Sequence, residues 1–563
     1  MMRETLRFLA SPVRGLQAAV YVLAASALLS SVLALVRDRL FAHTFGAGVE
    51  LDLYYAAFRI PDLIFVGTGA LVSVYILIPQ LARRAPDQQK EYIDTMVVGF
   101  SVLAVAASGL TAIFTPYLLG LLFPKIAAAG YLPTLVALTR IMLLQPILLG
   151  LSNILAAITQ ARNRYALYSL SPILYNFGII AGLVFLYPYF GIVGLAWGVV
   201  LGAALHFGVQ IPSVVGDGFF RSIPRFSEGK ALFETMSISI PRAMALSMNQ
   251  VTFLGLTILA SALTQGSIAV FTFAYNLMSV PLSVVGASYS VAAFPTLASA
   301  LASGRREEFI EQVATAARYI LFWSLPIVGI IVVLRAHIVR VVLGSGSFDW
   351  TDTRLTAAVF ALLSLALAGS AITLLLTRAY YAAGRTLVPF FIATASAVVT
   401  ILTATLFVQW LEHPSVSRFV QELMRLEGVP GIAILAIAFA HALVSIVMAL
   451  ILAVSFERRF GGLFTRVRSA LVDGTLASLA GALTTYGVLS AVGPLTLSST
   501  LLSVFMRGFL GGVAGLAATG VVYALLGNRE FQETVFSIRS RLWRELPSKP
   551  IRSAEEIGSS SPQ

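Results

Sequence analysis

Apolar residues in this chain gather in long unbroken blocks and do not alternate with polar ones. A helix needs roughly 18 or more such residues to cross about 30 Å of hydrocarbon. Read against that length, the pattern predicts about fourteen membrane spans. They fall near 17–42, 51–82, 92–118, 131–160, 165–187, 191–213, 231–263, 267–300, 309–344, 353–383, 386–410, 431–455, 469–493 and 501–527. Strand-like alternation is absent, so a membrane β-barrel is not expected. The first block is too long for the apolar core of a cleaved leader, and no small-residue cleavage site follows it, so it is expected to remain as the first span.

The polar segments between the blocks set the expected orientation. Every second segment is basic, among them Arg83–Arg84, Arg162 with Arg164, Arg305–Arg306 and Arg458–Arg459. The alternate segments carry Lys125, nothing, or the acidic "FDWTD" of Phe348–Asp352, apart from a longer mixed loop at 411–430. Under the positive-inside rule both termini are expected in the cytoplasm.

The blocks also repeat. "YYAAFRIPDLIF" (54–65) is echoed by "FTFAYNLMSVPLSVV" (271–285), and "LIPQLARR" (77–84) by "AFPTLASAL" (293–301), with Pro61 matching Pro281 and Pro79 matching Pro295. Six spans separate the equivalents. The expected fold is therefore an all-α integral membrane protein of two six-helix lobes in parallel repeat plus two C-terminal helices. Its units are an N-lobe at 1–213, a cytoplasmic linker at 214–230, a C-lobe at 231–456, spans 13 and 14 at 457–527, and a polar cytoplasmic tail at 528–563. The tail opens with an amphipathic stretch bearing Phe531, Val535, Ile538 and Leu542 on one face, and its end is too polar to order itself. Parallel lobes of this kind place a substrate site between them.

Composition agrees with the pattern. Of 563 residues, 58% are hydrophobic and only 11% charged, and the mean hydropathy is +0.88. The net charge of +12 sits in the short loops, where membrane orientation accounts for it without nucleic acid. With no cysteine, disulfides, thiolate catalysis and Cys-bound metals are excluded. No Walker A motif, metal-ligand spacing or nucleophile–base pair is visible, so neither an enzyme nor a cofactor is expected.

Candidate chemistry lies in charges that fall inside the spans, each costing a few kcal/mol unless it meets water or a partner. Arg37 and Asp38 end the first span. They read either as a helix-end pair or as a site, and positive charge at an outer end favours the site. Arg39 reads as an interface residue whose head snorkels to water. Arg59 and Asp62, at i and i+3, share a helical face and read as a structural bridge or as part of the site. Arg140 and Arg242 lie mid-span beside Pro146 and Pro241 and are expected to line the cavity between lobes. Arginines with few acids suit an anion, and the planar guanidinium suits a phosphate. His206 and His441 read as packed, hydrogen-bonded residues before they read as proton relays.

At "ALVRDRLFAHTFGAGVELDLYYAAFRIPDL" (34–63) the sequence resembles the MurJ/MviN family of bacterial lipid II flippases, within the multidrug/oligosaccharidyl-lipid/polysaccharide exporter superfamily. The resemblance rests on Arg37-Asp38, the turn Phe45-Gly46-Ala47-Gly48, Asp52, and Ala57-Phe58-Arg59-Ile60-Pro61-Asp62-Leu63. It extends through "QARNRYALYSLSPILYN" (160–176), "FAYNLMSVPLSVVGASYSVAAFPTLA" (273–298) and "TRAYYAAGRTLVP" (377–389), covering about 17–527. It implies a transporter of lipid-linked peptidoglycan precursor in the bacterial cytoplasmic membrane, working by alternating access. Arg37 is then expected on the pyrophosphate with Asp38 orienting it, and the groove of the last two helices on the lipid tail. Membrane lipids and peptidoglycan-synthesis proteins are the other implied partners. The chain departs from the family at Ser31, Phe65 and Asn276, where the family has arginines, and it lacks the acids of the family's sodium site. The anion site would then be rebuilt from Arg59, Arg140 and Arg242, or the substrate would differ. An exporter of another polyprenyl-pyrophosphate glycan and a non-transporting scaffold for envelope-synthesis enzymes remain the alternatives.

Overall fold

The structure is a computed structural model, and it describes residues 16–542 apart from 163, 221 and 494–499. The tail end at 543–563 lies outside the described residues. All regular structure among the described residues is helical. The long helices, numbered in chain order with Pro414–Met424 in the 411–430 loop and the shorter ones left unnumbered, begin with α1 Leu16–Phe45, α2 Val49–Gly69, α3 Pro86–Leu122, α4 Leu132–Met142, α5 Leu144–Ala161 and α6 Tyr165–Ala181. Next come α7 Ile192–Gly208, α8 Gly229–Ser261, α9 Ser267–Pro281, α10 Ser288–Ala302, α11 Arg306–Val342 and α12 Trp350–Ser364. The series ends with α13 Leu367–Ala382, α14 Leu387–Leu411, α15 Ile434–Phe460, α16 Leu463–Val492, α17 Leu501–Leu525 and α18 Arg529–Leu542.

By length and apolarity, 11 helical segments among the described residues can cross a membrane, or 12 if α12 and α13, bent by 43° at their junction, form one span. The expected fourteen is not reached on that basis. The helices α1 and α2 hold the charges that set them apart: Arg37, Asp38 and Arg39 on the first, Glu50, Asp52, Arg59 and Asp62 on the second.

Local chemistry explains the interruptions. Pro146 has no N–H to give to Met142, four residues back, and α4 ends at Met142. A π-helical turn, Leu282–Ala287, follows Pro281 and joins α9 to α10. Where α6 runs on into its own π turn it crosses α7 so closely that a Cβ at Gly182 would stand 2.4 Å from the Gly198 Cα. Small residues there let two backbones touch.

The hydrophobic core divides in a way that positions the site. One cluster is built from residues between Val72 and Ala231 and another from residues between Val285 and Leu463. A third and larger cluster takes side chains from both halves, among them Phe41, Tyr54, Leu138, Phe271, Phe273, Phe348 and Phe360. The α16–α17 pair leans on α11, with the Tyr523 hydroxyl donating to the Phe322 carbonyl at 2.8 Å and Ser478 Oγ to the Leu325 carbonyl at 2.7 Å.

The amphipathic stretch after α17 forms α18 and docks on α11. Arg318 Nε donates to Glu530 Oε1 at 2.8 Å, and the Tyr319 hydroxyl to Glu533 Oε2 at 2.6 Å. Glu533 also accepts from Arg529 Nε at 2.7 Å. The Tyr319 hydroxyl first, and Arg529 second, hold the Glu533 carboxyl below its ordinary value. A carboxyl with a lowered folded value contributes docking strength above its unfolded value and loses it as pH falls through the folded one. Hydrogen exchange of α18, corrected for intrinsic rates, is therefore expected to accelerate as pH falls from above the ordinary carboxyl value of 4.5 to below it. Unchanged protection over that range would show that Glu533 contributes nothing to docking.

Candidate functional site

Near the end of α1, Arg37 and Asp38 form the centre of a polar chain that crosses from one half of the molecule to the other. The Arg37 Nε and Nη2 donate to Asp38 Oδ1 at 3.1 and 2.8 Å, and Nη1 donates to Asn176 Oδ1 on α6 at 3.0 Å. The second carboxylate oxygen, Asp38 Oδ2, accepts from Asn276 Nδ2 on α9 at 2.9 Å. Asp38 is buried, while the Arg37 side chain keeps 19% of its surface. A guanidinium carries five N–H groups and three are engaged here, so two stay available for an anion. Asn276 stands where the resemblance expects an arginine. It replaces a second cation with a neutral donor that holds Asp38 in place.

Arg37 opens on a cavity of about 370 Å³. Asp62, Gln145, Tyr175 and Gln250 supply its other polar groups, and Phe58, Phe65, Leu149 and Ile179 its apolar walls. Most of these come from α1, α2, α5 and α6, while Gln250 comes from α8. The expected Arg59–Asp62 bridge along α2 is replaced by other partners. The Arg59 guanidinium lies over the Phe253 ring, 5.4 Å from its centroid, and its Nε has no hydrogen-bond partner among the described residues. Asp62 Oδ1 accepts from Gln145 Nε2 at 3.4 Å, a long contact, and the buried Gln145 Oε1 is unpartnered among the described residues. A buried polar atom left unpaired costs roughly 1–3 kcal/mol. Of the two residues with such an atom, Gln145 lines the cavity and Arg59 does not.

The remaining expected site residues fall elsewhere. Asp52 is buried away from this cavity and binds backbone: Oδ2 accepts from the Gly266 N–H at 2.6 Å and Oδ1 from the Ala269 N–H at 2.8 Å. Those amides open α9, where the first N–H groups of a helix lack partners and a negative charge is favoured. Asp52 is thus a fastener between the two halves. Arg140 is a correction of a different kind. Its side chain is exposed and its Nε donates to the Ala112 carbonyl on α3 at 2.9 Å. Arg140 is not among the cavity's lining residues, whereas Gln145, beyond the break after Met142, is. Arg140→Ala is accordingly expected to leave transport within about twofold of wild type, as surface changes usually do. A severe loss with intact insertion would return Arg140 to the site. Arg242 lies within α8, and its side chain is outside the described residues.

Asp52 belongs to a wider seam at the end of the bundle away from α18. The Ala47 N–H donates to Asp352 Oδ2 at 3.0 Å, and the Ser347 N–H to the His43 carbonyl at 2.9 Å. Arg39 Nη1 donates to the Val341 carbonyl at 2.7 Å, and Lys125 Nζ to the Ala262 carbonyl. Arg39 is therefore a helix-end cap across the seam, where the sequence suggests a snorkelling residue. The opposite end is also fastened. There the Tyr92 and Thr235 hydroxyls meet at 3.0 Å, and the Glu228 N–H donates to Thr95 Oγ1 at 3.1 Å. The two halves are thus bonded to each other at both ends of the bundle.

Asn176, Gln145, Gln250 and Tyr175 are the site residues that a search for charge passes over. Their one signal is that an amide or a phenol hydroxyl inside an apolar block needs a partner. His206 is packed as expected, its Nδ1 2.7 Å from Ser152 Oγ, and His441 lies against Phe253 and Tyr275. Among the described residues no group of three or more His, Cys, Asp or Glu side chains could hold a metal ion.

Comparison with known proteins gives this arrangement a context. The family model described as Lipid II flippase MurJ matches residues 41–506. A probable lipid II flippase MurJ of Buchnera aphidicola subsp. Schizaphis graminum is 26% identical over 396 residues, covering 69% of this chain and 76% of the relative. The lipid II flippase MurJ of Burkholderia cenocepacia is 26% identical over 409 residues, covering 69% and 77%. Among solved structures, a lipid II flippase MurJ in an inward closed conformation superposes with a TM-score of 0.70 at 21% identity, covering 90% of this chain and 99% of that one. An inward-facing MATE family transporter of the MOP superfamily superposes with a TM-score of 0.61 at 16% identity, covering 79% and 99%.

Proposed function

Because the chain belongs to the lipid II flippase MurJ family, which spans its residues 41–506, we propose that it carries lipid II from the inner to the outer leaflet of a bacterial cytoplasmic membrane. The polar chain Asn176–Arg37–Asp38–Asn276 is the observation that carries this reading, since it joins the halves at the wall of their shared cavity. The anionic pyrophosphate takes the two free Arg37 N–H groups as a charge-assisted fork. Asp38 and Asn176 fix the plane of that fork. Arg59, Asp62, Gln145 and Gln250 meet the polar head beyond it.

Transport follows from opening one end at a time. A cavity of about 370 Å³ is near the low end of the ~300–1,000 Å³ that holds a drug-sized molecule. A disaccharide-peptide head needs more, so two six-helix lobes, divided near the 214–230 linker, separate to admit it. Loading parts the α18 end and release parts the Asp52 seam. The head leaves outward carrying about two pyrophosphate charges. An inside-negative potential of about 100 mV favours that by about 2.3 kcal/mol per charge. The membrane potential thus supplies a drive without an ion site, and no reaction of its own is assigned to the chain.

The test of this reading is complementation of a bacterium depleted of its own flippase, with lipid II accessibility measured outside the membrane. Growth and exposed lipid II are expected. Full insertion without either would turn the reading towards another polyprenyl-pyrophosphate glycan or a scaffold. Both termini are placed in the cytoplasm in this proposal. The chain has no cysteine, so single cysteines at the exposed Ser303 and Ser347 report orientation directly. An impermeant maleimide added to whole cells is expected to label Ser347→Cys and to spare Ser303→Cys. The reverse pattern would invert the topology.

A further inference from the structure

A crevice of about 860 Å³ lies on the second half, and it shares no lining residue with the site already described. Its walls are apolar: Val388 at the start of α14, and Val447, Leu450, Ile451 and Val454 along α15. Arg458 and Arg459, both exposed, stand at its mouth in the last turn of α15. The groove is therefore graded from hydrocarbon to a double positive charge.

Among the described residues no acid neutralises that charge. Neither guanidinium is in an ion pair among the described residues. The neighbouring acid, Glu457, is committed to backbone, accepting from the Gly462, Leu463 and Phe464 N–H groups at 2.9, 2.7 and 3.1 Å. The carbonyl of Arg459 accepts from Arg306 Nη2 at 3.0 Å, which ties this helix end to α11. The floor adds a polar step between the walls and the arginines. There the Tyr380 and Ser455 oxygens are 2.8 Å apart. Two hydroxyls have two protons and this contact uses one, so one O–H is left to donate to an ester or phosphate oxygen.

We propose that this crevice is a binding site for one anionic phospholipid of the inner leaflet, its phosphate on Arg458 and Arg459, its glycerol ester on the Tyr380–Ser455 pair and an acyl chain along Val447–Val454. Charge complementarity selects this occupant, because a zwitterionic lipid brings its own cation to two arginines. Basic pockets between membrane helices on the cytoplasmic side bind anionic headgroups by this logic. The inference stands apart from the lipid II reading, since a scaffold with this fold would keep the site.

The experiment uses the full-length protein in detergent micelles, with dioleoylphosphatidylglycerol and dioleoylphosphatidylcholine as probes and native mass spectrometry as the readout. Phosphatidylglycerol is expected to be retained over phosphatidylcholine. An arginine near an anionic headgroup is worth about fivefold in affinity, so R458Q/R459Q should lower phosphatidylglycerol retention by roughly 25-fold. Ile451→Trp, which fills the crevice and leaves both arginines in place, should lower it as well, with an unchanged melting transition showing that the fold survives. Arg225→Gln, on the linker, should change nothing. Equal retention of the two lipids overturns the proposal, as does full retention by R458Q/R459Q. A loss in Arg225→Gln equal to that of the double variant would assign the effect to the general charge of the inner face and overturn it too.

Discussion

Arg37→Ala is expected to abolish transport while the protein still inserts, and Arg37→Lys is expected to restore little. The guanidinium makes two bonds to Asp38, one to Asn176, and keeps two N–H groups for the cavity. Lysine retains the charge but has three donors on one atom, which cannot reach the carboxylate, the amide and an anion in these directions together. Removing Arg37 also leaves the buried Asp38 carboxylate with Asn276 alone. An uncompensated buried charge costs about 3–5 kcal/mol when its partner is deleted, so the polar chain between the halves is lost along with the fork. Asp38→Asn should be nearly as harmful, because its amide nitrogen would face the Arg37 or the Asn276 donors. Growth under depletion of the resident flippase, with membrane levels checked by blot, measures all three. Wild-type growth of Arg37→Lys would show that charge alone suffices, and wild-type growth of all three would remove this pair from the site.

Asp52→Asn is expected to open the seam at the end away from α18 and to slow transport strongly. Both carboxylate oxygens are used as acceptors, for Gly266 and Ala269. Asparagine has one acceptor and one donor, so one of the two N–H groups would meet another N–H. A capping interaction is worth about 0.5–2 kcal/mol and the helix-end charge up to about 2 kcal/mol more in a partly buried setting. A loss of about 2 kcal/mol already shifts the open-to-closed ratio roughly thirtyfold. Phe65 lines the cavity behind the seam, so the rate at which an external impermeant maleimide labels Phe65→Cys reads the opening directly. It should rise tenfold or more when Asp52→Asn is added. An unchanged rate would mean that the cap does not hold the seam closed.

How much of this was legible beforehand differs between fold and site. Apolar block length announces a helical membrane protein, because every backbone polar group in hydrocarbon must be paired within its own helix. That condition is local, so α11 and α14 are placed to within about three residues and α3 and α15 to within about six. The cost of burying charge is also read along the chain, and it singles out Arg37, Asp38, Arg59 and Asp62 as residues that need a partner. Arg37 and Asp62 line the cavity. The same cost singles out Arg140 and Asp52, which do not. A buried charge declares that it requires a partner, but the partner is chosen by helix packing across large separations: 214 residues for Asp52 and Gly266, 139 for Arg37 and Asn176, 238 for Asp38 and Asn276. Neutral amides such as Gln145 give a still weaker signal, since an amide can be hidden at less cost than a charge. The sequence by itself determined the membrane class, the helix order and the list of groups that could not face lipid. The tertiary structure alone decided which of them meet at one cavity, because only the packing of the two halves turns a set of costly residues into a site.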